Sequence, residues 1–156
     1  MTFNKTKVEN FKPTPSQLQE GTVRPIALID TINIALIETA QPRQKIILSL
    51  NYEIGKLGFV VRANHFGAVA AWEKPANYPH IRQEFEAKTL FDASISYAIL
   101  KKLSFTVGGN NITDVYPDKV LTTLSAYTFG QAPYNRNINQ FGFNGAYYYT
   151  SLTFRF

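Results

Sequence analysis

The sequence predicts an all-β fold, an antiparallel meander of about six strands that forms a segment of a larger transmembrane β-barrel. Three features of the 156-residue chain lead there. Apolar and polar residues alternate with a period of two over several runs, which gives a strand one apolar face and one polar face. Long irregular connections alternate with tight turns. The final run keeps its alternation up to an aromatic last residue, Phe156. A soluble β-sandwich or a small ligand-binding barrel also has alternating strands, so alternation alone leaves these architectures open. Loop parity separates them, because membrane barrels carry short turns at one rim and long loops at the other.

The closing segment, Phe141 to Phe156, organises the rest. Counting back by twos from Phe156 gives Phe154, Leu152, Thr150 and Tyr148 on one face. Arg155, Thr153, Ser151, Tyr149 and Tyr147 fall on the other. Tyr148 is therefore expected toward hydrocarbon, with its two tyrosine neighbours turned away from it.

From the start, Thr2 to Val8 reads as a weak strand without a clean apolar face, and Pro13, Pro15 and Gly21 break any regular element after it. Residues 26–38 are dense in Ile, Leu and Ala, with a periodicity that fits either a short helix or a buried strand; Pro42 ends them. Lys45 to Ile54 is a strand with Ile46, Leu48, Leu50, Tyr52 and Ile54 on one face. Gly55-Lys56 is a tight turn into a second strand bearing Leu57, Phe59, Val61 and Ala63, which is expected to continue through Phe66 and Val69 toward Trp72. Trp72 would then stand at an interfacial girdle. Residues 73–83, with Pro75 and Pro79, read as a loop. Phe91, Ala93, Ile95, Tyr97 and Ile99 mark the next strand, Leu100-Lys101-Lys102 a tight turn, and Leu103, Phe105 and Val107 the strand after it. Residues 112–140 are irregular, and the closing strand comes after them.

Composition limits the alternatives. Charged residues make up 17% of the chain and aromatics 14%, fewer charges than the ~25% of ordinary soluble domains and in keeping with a half-apolar barrel wall. The net charge of +5 is spread along the chain, so no nucleic-acid groove is expected. There is no cysteine, hence no disulfide framework and no thiolate metal site. No apolar run reaches the ~18 residues of a membrane helix, and Met1 to Lys5 does not begin a secretory signal.

Between Leu90 and Lys119 the residues become more specific. Asp92, Ser94 and Tyr97 lie on one strand, a basic turn follows, then Leu103, Ser104 and Gly108, then Asn110-Asn111, Asp114, Tyr116 and Pro117. This order resembles the penultimate hairpin of TonB-dependent outer-membrane receptors. The segment from Gln140 to Tyr149, terminal Phe156, and the stretch Glu38 to Pro42 with Lys45 extend the resemblance over nearly the whole chain, least clearly over residues 1–44. The resemblance implies a location in the bacterial outer membrane, contact with outer-membrane lipid, and a terminal strand (Tyr148, Thr150, Leu152, Phe154, Phe156) read by the barrel-assembly machinery. It also implies energised uptake of a ligand such as a ferric siderophore, cobalamin or glycan. The plug domain and the box that meets the TonB complex have no counterpart in these residues. Plugged transporters have about 22 strands, so the chain, taken as one domain over 1–156, is expected to be a C-terminal barrel piece that does not transport alone and is completed by the rest of the receptor barrel and plug.

Candidate site residues are few. Arg62, Asp92 and Arg155 fall on polar strand faces and are expected to face the lumen. His65 and His80 have no ligand-like spacing, no nucleophile elbow or phosphate loop is present, and Asp114, Asp118 and Asn110-Asn111 lack the regularity of a calcium loop. No catalytic, metal or cofactor residue is assigned, and the chain is not expected to be an enzyme.

Overall fold

The computed structural model describes residues 1–9, 31–73, 81–121, 133–135, 138 and 140–156. Among the described residues are eight strands and one helix: β1 (Thr2–Phe3), α1 (Thr31–Glu38), β2 (Gln44–Ile54), β3 (Leu57–Phe66), β4 (Val69–Glu73), β5 (Ile81–Phe85), β6 (Lys88–Leu100), β7 (Leu103–Asn110) and β8 (Tyr147–Phe154). Six of the strands build one open antiparallel sheet in the order β1-β2-β3-β6-β7-β8, while β4 and β5 form a separate two-stranded sheet. The fold is therefore all-β with one short helix, and its main sheet is a meander interrupted by one hairpin.

Register keeps apolar residues in cross-strand rows. Leu50 faces Val61, which faces Ala93, then Gly109, then Tyr148. The next row runs Tyr52, Phe59, Ile95, Val107 and Thr150, and the one after it Ile54, Leu57, Tyr97, Phe105 and Leu152. Side chains alternate faces along each strand, so these rows share one side of the sheet. The reverse side carries Ser49 against Arg62 and Asp92, and Glu53 against Gly58, Ser96, Thr106 and Ser151.

Two neighbouring glycines fit the closing strand to β7. A side chain on Gly108 would strike the Tyr149 hydroxyl at 2.6 Å and Ser94 at 2.8 Å, and one on Gly109 would strike the Tyr148 ring at 2.9 Å. Each tyrosine lies over a strand residue with no side chain, one on each face of the sheet. Aromatic cover of a strand glycine restores packing that the glycine itself cannot supply.

Several expectations need correction. The strand after Gly55 does not run on to Trp72; β3 stops at Phe66 and β4 is a new strand paired with β5. Gly67 makes the break, its N–H donating back to the Gln44 carbonyl at 2.9 Å. Trp72 therefore belongs to the small sheet, opposite Arg82, and not to a girdle on the main one. Residues 81–83, read as loop, open β5. Two upstream prolines hid a short alternation in which Gln83 and Phe85 point inward and Arg82 and Glu84 outward. The weak first strand shrinks to Thr2–Phe3, and the closing strand starts at Tyr147 instead of Phe141. The ambiguous stretch resolves into α1 over its described part. Its Ala35 is buried, and Thr39 ties the helix end to β4 by receiving the Ala70 N–H at its carbonyl, 3.0 Å away.

The compact core does not lie on the main sheet. Val69, Ala71, Phe85 and Ile138 form it, with Leu36 and Ala40 packed against them. It sits at the end of the sheet that bears the long connections. The short turns, at Gly55-Lys56 and Lys101-Lys102, occupy the opposite end.

Candidate functional site

Much of the apolar face of the main sheet is exposed. Leu48 is 70% exposed, Leu50 66%, Ile95 51%, Val107 48% and Leu152 66%. Full burial of one such side chain is worth ~1.5–3 kcal/mol. Covering the whole band is thus worth on the order of 10 kcal/mol, by the same figure. The band runs from the Leu48–Ala63–Phe91 row to the Leu103–Phe154 row. That is about 27 Å along the strands at ~3.4 Å per residue. At the 35–45° tilt of membrane strands it becomes about 20 Å of height, close to the ~25 Å apolar belt of such barrels.

The closing-strand residues join this band. Tyr148, Thr150, Leu152 and Phe154 pair with Gly109, Val107, Phe105 and Leu103. Phe156 lies beyond β8, fully exposed, with its ring 6.5 Å from that of Phe154. Tyr147 and Tyr149 stack on each other on the reverse face, centroids 6.3 Å apart.

Of the polar candidates, the fold brings Arg62 and Asp92 together and leaves Arg155 elsewhere. Arg62 and Asp92 are register partners and line a recess of about 80 Å³ with Val60, Ser94, Asn110 and Tyr149. Arg62 turns toward β2, its Nε donating to Ser49 Oγ at 3.3 Å. Asp92 turns toward the loops. One of its oxygens receives Asn64 Nδ2 at 2.7 Å, and the other receives the Asn111 N–H at 2.9 Å. Asp92 is thereby a positioning residue for the turn after β7. Arg155 lines a wider recess of about 250 Å³ at the short-turn end, with Glu53, Lys56, Lys101, Lys102 and Ser104.

The sequence singled out Asn111, Asp114, Tyr116 and Asp118, with a structural turn as the reading preferred over a calcium loop, but not the partners by which they hold the loop end together. Asn111 adopts φ 49° and Asp114 φ 53°, left-handed conformations that Asn and Asp tolerate better than other residues. The Asn111 side chain closes the turn at both ends, donating to the Val115 carbonyl at 2.8 Å and accepting the Val115 N–H at 3.0 Å. Asp114 receives the Ala146 N–H at 2.8 Å and the Tyr116 hydroxyl. That hydrogen bond to a carboxylate is the main reason the Tyr116 phenol holds its proton above the usual tyrosine range. Tyr116, Tyr134 and Phe143 then stack in series, with centroids 6.5 and 5.3 Å apart. Asp118 receives the Glu86 N–H and pairs with Lys88 at 2.6 Å. Side-chain oxygens of Asn111, Asp114 and Asp118, weighed for a calcium loop, are thus engaged in backbone and side-chain ties. His65 contacts Thr89 Oγ1 at 2.9 Å, and His80 lies outside the described residues.

Gln140 is the buried clasp between the small sheet and the main one. Its Nε2 donates to the Gly67 carbonyl at 2.6 Å and to the Glu86 carbonyl at 3.0 Å. Both carbonyls lie at the points where the chain leaves and re-enters the main sheet. Gln140→Leu is expected to lower unfolding stability by about 1–3 kcal/mol, because two acceptors lose a buried partner. The loss is read from denaturant unfolding, with faster amide exchange in β4 and β5 than in β7.

No protein-family model, curated protein or solved structure matches the chain.

Proposed function

We propose that this chain is a lipid-facing wall segment of a bacterial outer-membrane β-barrel of the kind found in TonB-dependent receptors. One observation carries the reading. A broad apolar band crosses one face of the main sheet and is largely exposed, while Ser49, Arg62, Ser94 and Thr106 stand on the other face. A soluble sandwich would turn Leu48, Leu50, Phe59, Ile95, Phe105 and Leu152 into one shared interior; here the buried cluster is made of other residues. The apolar band is the surface that acyl chains would cover, and the polar face would look into the lumen. The gathering of short turns at one end and long connections at the other supports the same orientation. In the family named, the completed barrel with its plug and TonB contacts takes up a scarce ligand. The open six-stranded sheet encloses no pore, so uptake is assigned to the completed assembly and not to this chain alone.

The test compares adjacent residues on β8. The Leu152→Cys and Ser151→Cys chains, each labelled with an environment-sensitive dye, are folded into lipid vesicles. The dye at 152 is expected to shift to the blue and the dye at 151 to stay in a polar setting. A wild-type chain that remains a dispersed, cooperatively unfolding monomer in plain buffer would overturn the reading.

A further inference from the structure

We infer that the outer edge of β2, from Ile47 to Ile54, is a strand-accepting site whose occupant is an extended polypeptide of alternating apolar and polar residues. β2 is paired along nearly its whole length with β3 on one side, but on the other, among the described residues, its ladder with β1 covers only Gln44 and Lys45. Beyond Lys45 that edge has no strand beside it among the described residues. Such a row of backbone groups is a template for another strand in water, and in lipid it has no solvent to bond it. The inference therefore goes beyond the lipid-facing reading and does not depend on it.

Three observations specify the occupant. First, β1 already sets direction and register, antiparallel with Thr2 opposite Lys45 and Phe3 opposite Gln44. A strand continuing its line backward meets Ile47 first and Ile54 last. Second, the band residues of β2 are more exposed than those of the inner strands: Leu50 is 66% exposed and Ile54 56%, against 44% for Val61 and 40% for Phe105. The missing cover is that of a neighbouring strand's side chains. The occupant thus brings apolar residues opposite Leu48, Leu50, Tyr52 and Ile54 and polar ones opposite Ile47, Ser49 and Asn51. Third, the position opposite Glu53 favours a cation. The outer edge of β8 is also open among the described residues, but none of them begins a strand beside it to fix a register.

The chain contains no cysteine, which makes disulfide capture clean. The Asn51→Cys chain, folded in detergent micelles, is mixed under mild oxidant with an eight-residue peptide of the pattern above. The peptide has Lys opposite Glu53 and Cys at the fifth residue from its carboxyl end, opposite position 51. Capture is expected at least tenfold faster than with the peptide cysteine moved one residue either way. In the wild-type chain, the cysteine-free peptide is expected to slow exchange of the β2 amides not bonded to β3. Equal rates in all registers, equal capture by Ser151→Cys on β8, or a disulfide dimer of the Asn51→Cys chain that outcompetes the peptide would each overturn the inference. So would wild-type β2 amides that exchange unchanged. A peptide that docks in register while Leu152 and Ser151 report the same polarity in vesicles would sink the lipid reading and leave this one standing.

Discussion

Replacing Val107 with Arg is expected to destabilise the vesicle-embedded sheet by about 2–4 kcal/mol, the cost of a cation on a lipid-facing strand near the bilayer midplane. Thr106→Arg, one residue earlier on the same strand, is expected to change stability by about 1 kcal/mol or less, in the range of an exposed polar site. The contrast comes from register. Val107 stands in the middle apolar row, between Ile95 and Thr150, while Thr106 lies in the polar row with Ser96 and Ser151. Strand propensity, edge effects and sequence context are shared, so the difference isolates what covers each face. Val107 is already 48% exposed in the chain alone; in water an Arg there would extend freely and cost little. Denaturant unfolding from vesicles measures both variants. Equal small effects would remove lipid as the solvent of this face.

The main sheet was legible because its physics is local. Runs such as Lys45 to Ile54 and Phe91 to Ile99 alternate cleanly, and the turn at Gly55-Lys56 is short enough to fix which residues of β2 and β3 face each other. In the row Tyr52, Phe59, Ile95, Val107 only the first step comes from alternation plus turn position; Phe59 meets Ile95 across the inserted β4–β5 hairpin, and Ile95 meets Val107 through a register shift between Ala98 and Leu100. The small sheet was not legible, because β5 is only five residues long and comes after two prolines, and because its pairing with β4 depends on a break at Gly67 that Gln140 secures from far along the chain. The candidate site was legible in part. Alternation placed Arg62 and Asp92 on one face, but no periodicity says that Arg62 turns to Ser49 and Asp92 to Asn111. Those choices belong to the three-dimensional arrangement of donors around two oxygen atoms.

That arrangement makes Asp92 the second large effect. Asp92→Ala is expected to lower unfolding stability by about 2–3 kcal/mol, since hydrogen bonds to a charged acceptor contribute ~1.5–3 kcal/mol each and the site is only partly buried, which reduces the sum. Both partners, Asn64 Nδ2 and the Asn111 N–H, are donors, and they take different oxygens of the one carboxylate. Asn111 is the less adaptable of the two, because its backbone sits at φ 49° and its side chain closes the Val115 turn. Asn64 can rotate its amide and present an oxygen instead. Asp92→Asn is therefore expected to cost about 1 kcal/mol, its own oxygen kept for Asn111 and its amide turned to a rotated Asn64. Amide exchange separates this role from a purely lumenal one: in Asp92→Ala the Asn111 and Val115 amides should exchange faster while the β2–β3 ladder stays protected. If Asp92→Ala unfolds at the wild-type denaturant concentration, the carboxylate does not hold the turn, and its place on the polar face becomes open to a role in contacting solutes.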